Sequence, residues 1–195
     1  MLSVGEIARG MQGALAFLQR DPAAPSYFEN TAESCLRSFQ VMALVAPLYI
    51  VVMMILYSNV TTTAEGWEIV FVEALRYTVD WLLFPVIFYE IARRQSWLGI
   101  YPRYIAALNW VNLPLTIVAV VAIILASILP TAVAVLIQLG LYGLLFYWFL
   151  AVTRSVLKTG WLHSFMLLLV NWLPSRFLSL IVDRFLGIVP MATGT

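Results

Sequence analysis

Residues 67–94 read WEIVFVEALRYTVDWLLFPVIFYEIARR. Most of this run is apolar and long enough to cross a bilayer. It nevertheless carries Glu73, Arg76 and Asp80 in its interior, a proline at Pro85 and an Arg93-Arg94 pair at its end. A charge in the hydrocarbon costs about 2.5 kcal/mol or more even on the mildest scale, so such residues need a partner, a watery cavity or a task.

The rest of the chain has the composition that such a stretch calls for. It is 63% hydrophobic and 11% charged, with a mean hydropathy of +0.93; soluble domains carry about 25% charged residues. A membrane protein is the class this implies. The formal net charge of +1 comes with no basic stripe, which speaks against a nucleic-acid partner. A single cysteine, Cys35, allows no internal disulfide, and no Cys/His cluster suggests zinc. No cofactor is expected. The first thirty residues lack a long apolar run, so no cleavable signal is expected and the first span would direct insertion.

Ahead of the charged stretch, Val4, Ile7, Met11, Leu15 and Leu18 recur at helical spacing. They predict an amphipathic helix over 3–19, lying in the membrane interface or packed on the ends of the spans. Gly10 and Gly13 weaken it, and Asp21-Pro22 stops it. Glu29, Glu33 and Arg37 follow at four-residue spacing, as helix-face pairs. Residues 1–38 thus form a polar N-terminal segment. Five spans come next, over about 39–57, 67–91, 104–129, 132–152 and 161–182, and 183–195 is a short tail. At ~1.5 Å per residue each nearly crosses or crosses a ~30 Å core. The expected fold is all-α, a polytopic bundle of five transmembrane helices preceded by an amphipathic helix. Trp67, Trp97, Tyr101, Tyr104, Trp148 and Trp161 fall mostly near span ends, as an aromatic belt would.

Charge orients the spans. Arg9, Arg20 and Arg37 precede the first, Arg93, Arg94 and Arg103 follow the second, and Arg154 and Lys158 follow the fourth. The intervening loops have none, so the positive-inside rule places the N-terminus in the cytoplasm and the C-terminus on the far side. A bacterial inner membrane is the expected setting.

Counting along the spans places Glu73 about 9 Å below the far end, Arg76 about 13 Å and Asp80 about 20 Å. Arg176 lies about 9 Å below the same end, and Asn112 and Asn171 approach mid-depth. Glu73, Arg76, Asp80, Asn112, Asn171 and Arg176 are therefore the candidate polar site, with Arg176 opposite Glu73. Arg76 can reach Glu73 or Asp80 on its own helix. Pro85 removes a backbone bond near Asp80, as in the broken helices of transporters. Three readings stay open: these residues join helices, they serve conduction or transport, or residues 67–77 lie at the interface outside lipid.

A lone interfacial His163 has no neighbours for a metal site, and no catalytic motif is present, so an enzyme is not expected. The plan of a polar N-terminal segment, five closely spaced proline-bearing spans and short loops resembles the Yip1 family of small membrane proteins. That resemblance implies an integral membrane protein of structural or accessory type, a homo-oligomer or a complex subunit in the lipid bilayer. The alternative is a small proton- or solute-coupled transporter or channel centred on Asp80. Five spans enclose little interior, so a pathway would call for a dimer.

Overall fold

The computed structural model describes residues 2–190; the end of the tail, 191–195, lies outside the described residues. Helix α1 (Val4–Leu18) begins at a capping box: Ser3 Oγ accepts from the Glu6 backbone N–H, and the Glu6 carboxylate accepts from the Ser3 N–H. Asp21 stops the chain by accepting the Ala23 N–H in a tight turn. A 3-10 turn (Ala24–Tyr27) and α2 (Ala32–Ser38) follow, the latter capped by Thr31. Then come α3 (Val41–Tyr57), α4 (Gly66–Arg94), α5 (Tyr101–Ile128), α6 (Thr131–Leu157) and α7 (Trp161–Phe185).

Four helical segments are long and apolar enough to cross a membrane: α2 with α3 (Ala32–Tyr57), α5, α6 and α7. This fits an integral membrane protein. The expectation of five spans meets a limit at α4. With 29 residues it is as long as the others, but Glu68, Glu73, Arg76, Asp80 and Glu90 keep its composition from qualifying. It also runs unbroken through Pro85, so the interruption expected there does not occur.

The helices form a ring. α3 packs on α5, α5 on α6, α6 on α7 and α7 on α4. Between α4 and α3 the ring closes through long side chains: Tyr49 and Tyr57 donate to Glu73, and Tyr77 donates to the Met42 carbonyl. The tight core lies at the arginine-bearing end, where Phe84, Phe88, Tyr104 and Phe149 pack edge to face or tilted. The Tyr104 hydroxyl meets Thr153 Oγ1 at 2.9 Å, joining α5 to α6 inside this core. Tyr104 and Trp148 are almost fully buried, which corrects their place in the aromatic belt, whereas Trp67 and Trp161 are exposed as a belt requires. At the other end the outer halves of α5 and α6 expose Val121, Ile128, Leu136 and Leu139, as a lipid-facing surface does.

Helix α1 packs on α5 and α6 at the arginine-bearing end, one of its two expected placements. Its buried face is Gly10, Gly13, Ala14 and Phe17, while Val4 and Leu15 of the apolar stripe are exposed. The glycines that weakened the helix reading are the points of closest approach. A Cβ at Gly10 would overlap the Trp110 indole, and one at Gly13 would lie 2.6 Å from the Phe28 ring. Trp148 Nε1 donates to the Ala14 carbonyl at 2.9 Å and locks the helix in place.

The expected Glu29–Glu33–Arg37 helix-face pairs are not formed: Glu29 lies outside α2, and Arg37, though on α2 with Glu33, turns to Glu6. Instead Arg37 pairs with Glu6 and Arg9 with Glu29, so both ion pairs tie α1 to the chain that follows it. The Ser3 backbone bond first, and Arg37 as well, hold the Glu6 carboxyl below its ordinary value of 4.5. A lowered folded value contributes stability that is present above about 4.5 and lost as pH falls through the folded value. Protease cleavage of the N-terminal segment should therefore accelerate only below pH about 4.5, and Glu6→Gln should shrink that acid step. A wild-type cleavage rate that stays flat down to acid unfolding would refute the clasp.

The connection after α3 and the described part of the tail pair as well. β1 (Val60–Thr61) runs antiparallel to β2 (Val189–Pro190), and Thr62 Oγ1 donates to the Leu186 carbonyl. Gly187, at φ +61, turns the tail into this ladder, and a Cβ there would strike Thr63 Oγ1. The far ends of α3 and α7 are thereby tied together.

Candidate functional site

Two polar layers lie inside the ring. The layer nearer the far end is built on Glu73, which is 7% exposed. One carboxylate oxygen accepts from Tyr57 at 2.8 Å. The other accepts from Tyr49 at 2.7 Å and from Arg76 Nε at 2.8 Å. The remaining Arg76 nitrogens donate to Tyr49 Oη at 2.7 Å and Ser179 Oγ at 3.1 Å. The guanidinium also stands over the Tyr49 ring. Three helices, α3, α4 and α7, are joined by one saturated network.

Arg76 thus pairs with Glu73 and forms no ion pair with Asp80. Arg176 does not enter the layer: it is exposed, and Ser179 occupies the place expected for it. Depth along the helix axis matches Arg176 to Glu73, but azimuth decides contact. One residue past Ser175 turns the side chain by about 100° and away from α4.

The second layer is nearer mid-depth. Asp80 Oδ1 accepts from Ser175 Oγ at 2.9 Å, and no cationic side chain forms an ion pair with it among the described residues. Antiparallel packing of α4 and α7 explains both contacts. Arg76 and Asp80 are one turn apart on α4 and meet Ser179 and Ser175, one turn apart on α7. A four-residue serine spacing on α7, level with the charges of α4, was the signal for these residues.

Asp80 faces a cavity of about 390 Å³ walled by all five long helices. Its lining includes Tyr49 of α3, Asp80 of α4, Asn112 and Thr116 of α5, Leu145 of α6, and Asn171 with Ser175 of α7. A second space of about 130 Å³ continues it toward the arginine-bearing end, again bounded by Asp80, Asn112 and Asn171. Asp80, Asn112 and Asn171, placed at one depth by counting, are brought to one cavity. Neither asparagine side-chain amide has a hydrogen-bond partner among the described residues, so both offer donors and acceptors to the space. Asn109 differs: it is buried and donates to Ser38 Oγ at 2.9 Å, tying α5 to α2.

The arrangement has one carboxyl group with a single hydroxyl donor, surrounded by amides and hydroxyls in an otherwise apolar wall. Such a group attracts protons and small cations, and amides fix the orientation of a polar solute. Among the described residues no three metal-ligating side chains cluster, and His163 is exposed at the start of α7. No family model matches the chain, and neither a curated protein nor a solved structure does.

Proposed function

We propose that this is a five-span membrane protein whose central cavity binds a proton or a small cationic solute at Asp80, as a small transporter would. One observation carries the reading: among the described residues Asp80 bears the cavity's sole carboxyl group, and it forms no ion pair. The spanning of α4 is supported by its length and by the inward placement of its charges. Glu73 is buried and Arg76 mostly covered against α3 and α7, while Val70, Phe71, Leu75, Leu82 and Val86 are exposed on the other faces. Orientation with α1 in the cytoplasm is supported by the gathering of Arg9, Arg20, Arg37, Arg93, Arg94, Arg103 and Arg154 at one end. A bacterial inner membrane suits such an all-helical bundle, and the polar N-terminal segment and closely spaced helices are what would support a Yip1-like reading.

A structural or accessory role is the second reading. The saturated Glu73–Arg76–Tyr49–Ser179 network favours it, since that layer does nothing but join helices. In that reading the chain assembles as a homo-oligomer or a complex subunit.

The two readings part on Asp80. Proton, sodium and methylammonium fluxes into proteoliposomes should be carried by the wild type. Asp80→Asn should lower flux of the carried species by roughly tenfold or more, the loss of one charge-assisted contact. Its melting temperature in detergent should stay close to that of the wild type. If Asp80→Asn transports normally, or if the wild type carries none of these while Asp80→Asn melts far lower, the structural reading replaces the transporter.

A further inference from the structure

A groove of about 260 Å³ opens at the arginine-bearing end, between the end of α1, the last turns of α6 and Trp161 of α7. Two arginines, Arg20 and Arg154, line it. Other arginines at this end are occupied: Arg9, Arg37, Arg93 and Arg94 pair with carboxylates, and Arg103 donates to the Phe28 carbonyl. Arg20 and Arg154 form no ion pair among the described residues. Arg20 donates through Nε alone, to the Tyr147 hydroxyl at 2.8 Å, so its terminal nitrogens remain available. The Arg154 guanidinium lies over the Trp161 ring at 3.9 Å and keeps its whole donor fork for a ligand. Tyr147 and Arg154 are two turns apart on one face of α6, so Arg20, held by Tyr147, and Arg154 address the same groove.

Arg20 stands just past α1 in the left-handed conformation (φ 59) with which helices commonly end, the Asp21 N–H donating back to the Ala16 carbonyl. Asp21 also borders the groove, but one of its oxygens is engaged by the Ala23 N–H in the turn. The groove floor is apolar, formed by Phe17, Pro22, Leu150 and Ala151. From Trp161 an exposed apolar track, Leu162, Phe165 and Met166, runs along α7.

We propose that this groove binds the phosphate headgroup of an anionic phospholipid, with its acyl chains laid along the exposed face of α7. Two unpaired arginines supply charge and forked donors for phosphate oxygens. The apolar floor and its continuation toward the spans select a lipid over a free phosphate. Trp161 sits where an interfacial ring belongs. The site is at the opposite end of α7 from Ser179 and does not involve Asp80, so it stands or falls apart from the transport reading.

Native mass spectrometry of the full-length protein in detergent would test it, with phosphatidylglycerol and phosphatidylcholine supplied in equal amounts. The wild type should retain phosphatidylglycerol over phosphatidylcholine by roughly tenfold. Arg20→Gln with Arg154→Gln should remove that preference, while Arg93→Gln, an exposed arginine at the same end, should keep it. Asp80→Asn should also keep it. Glycerol phosphate at millimolar concentration should fail to displace the lipid; displacement would make the ligand a soluble phosphate and overturn the lipid assignment. Equal retention of both lipids by the wild type, or an unchanged preference in the folded double variant, would also overturn it.

Discussion

Arg76→Met is expected to destabilise the folded protein by about 3–5 kcal/mol, because it strands a buried carboxylate. The side chains of Glu73 and Arg76 are 9% and 14% exposed, and their closest approach is 2.7 Å. Removing the cation leaves Glu73 with two tyrosine donors and no opposite charge, in a wall that faces α3 and α7 and not water. It also removes the donors to Ser179 and Tyr49, so α3 and α7 lose their shared anchor on α4. Removing both charges differs in kind: in a Glu73→Gln, Arg76→Met protein the neutral amide can accept from one of Tyr49 and Tyr57 through its oxygen and donate to the other through its nitrogen. The double variant should therefore recover a large part of the loss, as replaced buried pairs generally do. Thermal unfolding in detergent measures both. A single variant that melts within about 2 °C of the wild type, given about 2–4 °C per kcal/mol at this size, would show that the network carries little stability.

The second large effect belongs to Gly10. Any side chain there must displace the Trp110 indole, because three of its ring atoms lie inside the contact distance of a Cβ at that position. Trp110 is 7% exposed and belongs to the buried core, so shifting its ring disturbs that packing. Gly10→Ala should then cost about 1–3 kcal/mol, the usual range for overpacking, and Gly10→Leu more, with α1 lifting off α5. Limited proteolysis between α1 and α2 reads the detachment directly, and Trp fluorescence reports the indole's new surroundings. Shrinking the obstacle should reverse the effect, so Gly10→Ala with Trp110→Leu should protect the N-terminal segment better than Gly10→Ala alone. Normal protection in Gly10→Leu would mean that α1 does not pack where it is placed.

Composition and periodicity were enough for the helical class, for α1 and for the approximate extent of each long helix. Hydrocarbon length and backbone hydrogen bonding leave few alternatives to a helix for an apolar run of that size. Counting along the axis also grouped Asp80, Asn112 and Asn171 correctly, because rise per residue converts directly into depth. The same counting failed for Arg176. Depth is a linear coordinate that sequence supplies, but which way a side chain turns at that depth depends on where the neighbouring helix stands. Ser175 and Ser179 face α4, and Arg176 between them does not.

The stripe of α1 shows the same division. Val4, Ile7, Met11, Leu15 and Leu18 announced an amphipathic helix, yet the buried face holds Gly10, Gly13 and Ala14. Close approach of a helix to bulky Trp110 and Trp148 rewards small residues, and periodicity of large ones does not register that. Likewise Glu29, Glu33 and Arg37 looked like pairs along one helix, whereas Arg37 meets Glu6 and Glu29 meets Arg9, both residues of α1.

By itself, then, the sequence determined that the chain is helical, that its long apolar segments suit a membrane, and how far along its helix each polar residue lies. Each of these depends on distances along one helix, which rise per residue sets. Only the tertiary structure decided that Arg76 belongs to Glu73, that Asp80 forms no ion pair, and that five helices line the cavity it faces. Those outcomes depend on rotation and packing between helices, and they are settled by contacts between residues far apart in the chain.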